Sequence, residues 1–234
     1  MKILTILGTR PEIIRLSAVI RNLDKYFDHE LVHTGQNYDY ELNQVFFEDL
    51  GLRKPDIYLN SKAKNAVETI AKILKQIDRV LSVSKPDAVV VLGDTNSAIS
   101  VYAAKRRKIP IFHIEAGNRC FNQNVPEEIN RKVVDHISDV NITYSKFARE
   151  NLLREGLDPE MSICLGSPMK EIINYCESIS KKSKILRTLG LKKNEYILFS
   201  THREENVDSP RKFKEILKII KSLNTKFGKK IVMG

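Results

Sequence analysis

At 234 residues, 42% hydrophobic and 29% charged with 10 Gly and 8 Pro, the chain has room for one full core and part of a second, and its composition excludes a fibrous or disordered protein. No apolar run approaches the roughly 20 residues of a membrane span, and the short run after Met1 stops at Gly8, so the sequence reads as carrying neither anchor nor signal peptide. The net charge of +10 invites nucleic acid, but its excess lies at helical spacing (Lys181 to Lys193, Arg211 to Lys221) without basic-aromatic interleaving, as expected of solvated helix faces or of a protein that takes a phosphorylated small substrate.

In chain order, residues 2–7 predict a strand and residues 11–26 a helix. Pro11 suits the first helical turn, so free backbone N–H groups and the positive helix end face the carboxyl edge of the sheet, an anion site reinforced by Arg10 and Arg15. The single glycine there matches neither a dinucleotide fingerprint nor a P-loop, and an ordinary strand-to-helix turn explains the stretch as well. A strand at 30–34 precedes helices at 40–50 and 66–83. Strand 88–92 then runs into Gly93-Asp94-Thr95-Asn96-Ser97 and a helix at 97–107, and strand 111–114 runs into Glu115-Ala116-Gly117-Asn118-Arg119. As neighbours, these strands bring Asp94 and Glu115 to within about 5 Å. Two carboxylates that close cannot both ionise cheaply, which leaves one as acid and the other as base. Asp94 equally suits capping of the next helix, whereas an acid closing a buried strand, as Glu115 does, is otherwise costly. The helix at 126–137 opens on Glu127, a position the helix dipole favours by itself, with Arg119, Asn130 and Arg131 placed to bind or orient a polar substrate.

Strands at 140–144 and 162–165 alternate with helices at 146–155 and 168–189; a strand at 196–200, a polar loop holding His202, a helix at 211–227 and a last apolar run from 230 follow. The alternation predicts an α/β fold, a doubly wound parallel sheet with ligands beyond the carboxyl ends of its strands. The pattern restarts near residue 170, giving domains at 1–170 and 171–234, the second cut short because two parallel strands cannot cover themselves. His202 sits where a doubly wound half places its ligand loop, although a surface histidine reads the same. His33 and His113, beside and inside strands, read as core residues. The three cysteines, Cys120, Cys164 and Cys176, lack CxxC spacing and argue for the cytoplasm; no zinc or other metal-ligand spacing occurs.

Taken together, Gly8-Thr9-Arg10-Pro11-Glu12, His33-Thr34-Gly35-Gln36-Asn37-Tyr38-Asp39, Gly93-Asp94-Thr95, His113-Ile114-Glu115-Ala116-Gly117, Pro126-Glu127-Glu128-Ile129-Asn130-Arg131 and Thr201-His202-Arg203-Glu204 resemble the non-hydrolysing bacterial UDP-N-acetylglucosamine 2-epimerases, across the whole chain and in that family's order. The resemblance implies two Rossmann-like domains in a GT-B-type arrangement, a homodimer at full length and a UDP-sugar partner, with no metal, nicotinamide, nucleic acid or membrane. It also implies inversion at C2 by elimination and re-addition of UDP, in the synthesis of capsule, O-antigen or other cell-surface polysaccharide. By motif position, Asp94, Glu115 and Glu127 become the acid/base carboxylates, and Arg10 and His202 bind UDP phosphates or the sugar. Arg15, Arg119 and Asn130 complete the expected substrate contacts. Arg15 stands where the common pattern has Lys; with Gly166-Ser167-Pro168-Met169-Lys170 and Asn118-Arg119-Cys120-Phe121 it resembles the branch acting on UDP-2-acetamido-2,6-dideoxy-L-talose. A GT-B-like UDP-sugar glycosyltransferase is the rival class. The family's Gly-Gly-containing UDP loop is missing, so the second domain is expected to be truncated.

Overall fold

The apolar runs form strands buried on both faces: β4 (Ala88–Leu92) is buried throughout and β1 (Lys2–Leu7) at every residue but its first. The computed structural model describes residues 1–35, 40–201 and 209–233. The chain divides into two compact units, Met1–Glu177 and Ser178–Gly234. In the first, β2 (Asp28–His33), β3 (Ile57–Tyr58), β5 (Ile111–Ile114), β6 (Val140–Thr143) and β7 (Ser162–Cys164) join β1 and β4 in one sheet of order β3-β2-β1-β4-β5-β6-β7. Every pairing in it is parallel.

Alternation along each strand feeds two cores. Leu4 and Ile6 of β1 with Val89 and Val91 of β4 share a cluster with Ile73, Ile77 and Leu81 of α3 (Ala66–Ser84) and Ala104 of α4 (Val101–Arg106). The other cluster joins Ile3, Leu7, Val90 and Leu92 to Ile13, Leu16 and Ile20 of α1 (Arg10–Tyr26) and to Phe47 of α2 (Tyr40–Asp49). Each such aliphatic side chain contributes about 1.5–3 kcal/mol on burial. The helix α3 presents its buried residues at four-residue spacing, and Asn65 caps it by accepting from the Glu68 N–H at 2.9 Å. The remaining helices of this part are α5 (Pro126–Ile137), α6 (Lys146–Arg154) and α7 (Met169–Ser180). This is the doubly wound sheet the alternation implied, with helices on both faces.

The helix expected over 168–189 instead breaks. After α7 the amides of Lys182 and Ser183 reach back only three residues, to Ile179 and Ser180, and α8 (Ile185–Thr188) starts afresh. Lys181, Lys182 and Lys184 crowd like charge there, and the Ser183 hydroxyl accepts from the Ile185 N–H, a local bond that competes with helix continuation. The helix expected at 97–107 likewise begins as a 3-10 turn, Ala98–Ser100, before α4.

The second unit holds β8 (Tyr196–Phe199), α9 (Pro210–Phe227) and β9 (Lys230–Met233), with the two strands parallel. The Ser209 hydroxyl caps α9 and Gly228, at φ +60°, ends it. Among the described residues no helix is long and apolar enough to cross a membrane.

Candidate active site

Strand order reverses between β1 and β4, so the loops leaving these strands part at their carboxyl ends, the place where open α/β sheets take ligands. One buried carboxylate ties the two loops together. Glu12 Oε2 accepts from the N–H groups of Gly8 (2.9 Å) and Thr9 (2.7 Å), while Oε1 accepts from the Thr95 hydroxyl at 2.9 Å. Burial pushes this carboxyl up to about 7 in spite of those donors. The expectation of free N–H groups in this turn is thereby corrected: α1 uses its own third residue to satisfy two of them. Arg10 is exposed beside the turn, its guanidinium 5.6 Å from the Phe46 ring centre.

Glu115 follows β5 at φ +69°, a left-handed conformation that costs a residue with a side chain about 1–3 kcal/mol. Its neighbours enforce that turn. Before it, the Ile114 carbonyl accepts from Gly93; after it, Ala116 donates to the Ile142 carbonyl at 3.1 Å and Gly117 to both oxygens of Asp135 at 3.2 Å. Gly117 passes so close to α6 that a Cβ there would lie 2.2 Å from the Ala148 carbonyl oxygen.

The Glu115 carboxylate receives Arg15 Nη1 at 2.6 and 2.5 Å. Burial raises its pKa, Arg15 opposes the rise and the Asp94 charge adds to it; the net direction is upward. Asp94 is held from α5: its Oδ2 accepts from Arg131 Nε at 2.7 Å and its carbonyl from Asn130 Nδ2 at 2.9 Å. It caps no helix, since Ser97 occupies the N-cap of the turn that follows. Arg131 is anchored in turn on Glu128, which accepts from it at 2.7 Å and from the amides of Cys120 and Phe121. Although burial works against charge there, these donors hold Glu128 down at about 2.

The structure therefore brings Asp94, Glu115, Arg15 and Asn130 together. Glu127 lies one helical turn before Asn130 and Arg131, on the same face of α5, exposed and without a hydrogen bond or ion pair among the described residues. Arg119 is not brought to this cluster's open side. Its side chain is fully buried, donating to the Asn118 carbonyl and Asp135 from Nη1 (both 2.7 Å) and to Glu155 from Nε and Nη2 (2.8 and 2.6 Å). His202 falls outside the described residues. His113, a core residue as read, donates from Nε2 to the Gly93 carbonyl at 2.8 Å and so steadies the residue before Asp94. Tyr144, just past β6, went unread in the sequence. Among the described residues its buried hydroxyl has no hydrogen bond, and burial, with the nearby Glu115 charge, raises its pKa. Pairing of β5 with β6 was the signal that could have found it. Among the described residues no group of three or more His, Cys, Asp or Glu side chains is arranged to hold a metal ion.

Residues 21–233 match the family model described as UDP-N-acetylglucosamine 2-epimerase. The chain is 38% identical over 239 residues to the UDP-N-acetylglucosamine 2-epimerase of Methanocaldococcus jannaschii, covering 100% of this chain and 65% of that protein. Among solved structures it is similar to a UDP-N-acetylglucosamine 2-epimerase from Rickettsia bellii, at 51% identity and TM-score 0.90, over 100% of this chain and 61% of that one. A Methanocaldococcus jannaschii UDP-GlcNAc 2-epimerase solved in complex with UDP-GlcNAc and UDP matches at 37% identity and TM-score 0.90, over 100% and 66% of the two chains. The chain thus spans less than two thirds of the length of these relatives.

Proposed function

The chain belongs to the UDP-N-acetylglucosamine 2-epimerase family, and we propose that it inverts C2 of a UDP-N-acetylhexosamine, converting UDP-N-acetylglucosamine to UDP-N-acetylmannosamine. The observation that carries this reading is the meeting of Glu115 and Asp94 at the β1/β4 crevice beside Arg15. A carboxylate takes the C2 proton, the C2–H electron pair becomes a C1=C2 double bond, and the C1–O bond to UDP breaks with its pair leaving on the diphosphate. Re-addition reverses these steps with the proton delivered to the other face of C2. Asp94, Glu115 and Glu127 are the acid/base set, and a carboxyl raised by burial, as Glu115 is, takes and holds a proton more readily than a solvated one, which suits proton exchange with C2.

Arg10 and Arg15 supply positive charge toward the departing diphosphate, with Asn130 holding the Asp94 loop; His202, outside the described residues, is a further candidate ligand of the UDP-sugar. The UDP and UDP-GlcNAc bound to the Methanocaldococcus relative support this ligand class. We place the protein in the cytoplasm as a homodimer serving cell-surface polysaccharide synthesis. Arg15, standing where the family pattern has Lys, favours UDP-2-acetamido-2,6-dideoxy-L-talose as a second substrate to assay.

Deuterium from solvent is expected at C2 of recovered UDP-sugar, and Glu115→Gln should slow its entry about 10²–10⁴-fold. Sugar transfer to an acceptor without deuterium uptake would instead identify a glycosyltransferase.

A further inference from the structure

The Arg15–Glu115 pair is built unevenly. Arg15 reaches both carboxylate oxygens with the single nitrogen Nη1, leaving Nε and Nη2 without bonds among the described residues. Its side chain is 39% exposed against 15% for the glutamate, so the cation comes from the solvent side onto an enclosed carboxylate. Arg131 makes the contrast: it bridges Asp94 to the buried Glu128 and is fixed at two points. Arg15 has one attachment and spare donors. A guanidinium binds phosphate oxygens in pairs, so a diphosphate offers it a better-matched partner than the end-on contact it now makes.

While Arg15 contacts both oxygens, the Glu115 charge is neutralised and the more exposed cation stands on the solvent side of the enclosed carboxylate, which is a poor state for a base. We propose that Arg15 holds Glu115 idle in the unliganded protein and releases it when a nucleotide diphosphate draws the guanidinium away, so that the carboxylate becomes a proton acceptor only with substrate in place. This rests on the epimerase reading. The charged and titratable groups facing Glu115 are Arg15 from α1, Asp94 from the loop after β4, His113 from β5 and Tyr144 from beyond β6. Once Arg15 leaves, burial and Asp94 act with less opposition, and both favour proton uptake. The Tyr144 hydroxyl, unpartnered among the described residues, then remains as a donor near the freed carboxylate. Arg15 is thus a positioning residue whose departure arms the base, and it protects the site from idle proton exchange between turnovers.

The test is the titration of the Glu115 side-chain carboxyl by carbon NMR on the glutamate-labelled protein, the signal being assigned by its loss in Glu115→Gln. Saturating UDP should raise the midpoint by about one pH unit or more, as expected for removal of an adjacent cation. In Arg15→Met, folded as judged by its amide spectrum, the midpoint should already be high, and UDP should move it less than in the parent. An equal UDP-induced rise in both proteins would assign the effect to the nucleotide's own charge and overturn the switch. UDP that binds without moving the parent midpoint overturns the switch alone, whereas absence of solvent deuterium at C2 of the UDP-sugar overturns the epimerase reading with it.

Discussion

Glu12 is 1% exposed, and its carboxyl stands at about 7 against an ordinary 4.5. The folded protein therefore holds this proton more tightly than the unfolded chain. The resulting stability is fully present below pH 4.5 and is lost as pH rises through about 7, a displacement worth on the order of 3 kcal/mol. Glutamine reproduces the protonated form: its oxygen can accept from Gly8 and Thr9 while its amide donates to Thr95. In Glu12→Gln the fall in unfolding free energy between pH 5 and 8 should shrink by that amount, measured by urea denaturation; an unchanged fall would show that Glu12 does not carry it. The sequence displays this acid three residues after Thr9, the spacing of a capping box, yet the turn's N–H groups read as free for a ligand. Nothing local reveals that Thr95, 83 residues on, completes its shell. Glu115 was legible for the opposite reason, because an acid ending an apolar run needs no partner to attract notice. Its actual partner Arg15 lies 100 residues away and reads separately as a phosphate ligand.

Strands and long amphipathic helices were legible because their burial repeats along the chain. The two-residue β3 is too short to show a period, and the break between α7 and α8 depends on local serine and lysine chemistry that apolar spacing ignores. The least legible feature is the joint between the β5 loop, α5 and α6. There Arg119 fills the space between Asp135, 16 residues on, and Glu155, 36 residues on. From sequence it reads as a substrate contact; in the fold it closes a buried ion cluster in which His113 lies 2.9 Å from Asp135. Arg119→Ala should therefore lower stability by about 3–5 kcal/mol, because it strands buried acid. Arg119→Lys should recover only part of this, lacking the planar fork that serves both acids. Urea midpoints decide between the roles: an Arg119→Ala protein of parental stability with weakened UDP-sugar binding would return this residue to the substrate.

Across the whole first unit, alternation of strand and helix was enough to specify a parallel doubly wound sheet, since consecutive parallel strands need a crossover between them. Strand order was not written there, and it is the order that matters for chemistry. By setting β1 beside β4 and β4 beside β5, it gathers Arg15, Asp94 and Glu115 at one edge. Of the expected site, those residues and Asn130 meet because each sits at or just beyond a carboxyl end or on a helix flanking it. Glu127 shares the α5 face of Asn130 with no side-chain bond among the described residues, and Arg119 departs because its partners outcompete solvent.

The left-handed backbone at Glu115 carries a consequence for selection. Glycine adopts φ +69° without the Cβ clash that alanine or glutamate bears. Glu115→Gly should accordingly unfold about 1 kcal/mol later than Glu115→Ala in urea, although neither has a carboxylate to take a proton; equal midpoints would mean the backbone relaxes without cost. Stability and turnover then pull residue 115 in opposite directions. A library enriched only for thermal tolerance drifts toward glycine at this position and accumulates well-folded, silent proteins. Among natural variants of this chain, the identity of that one side chain is a better guide to activity than melting temperature.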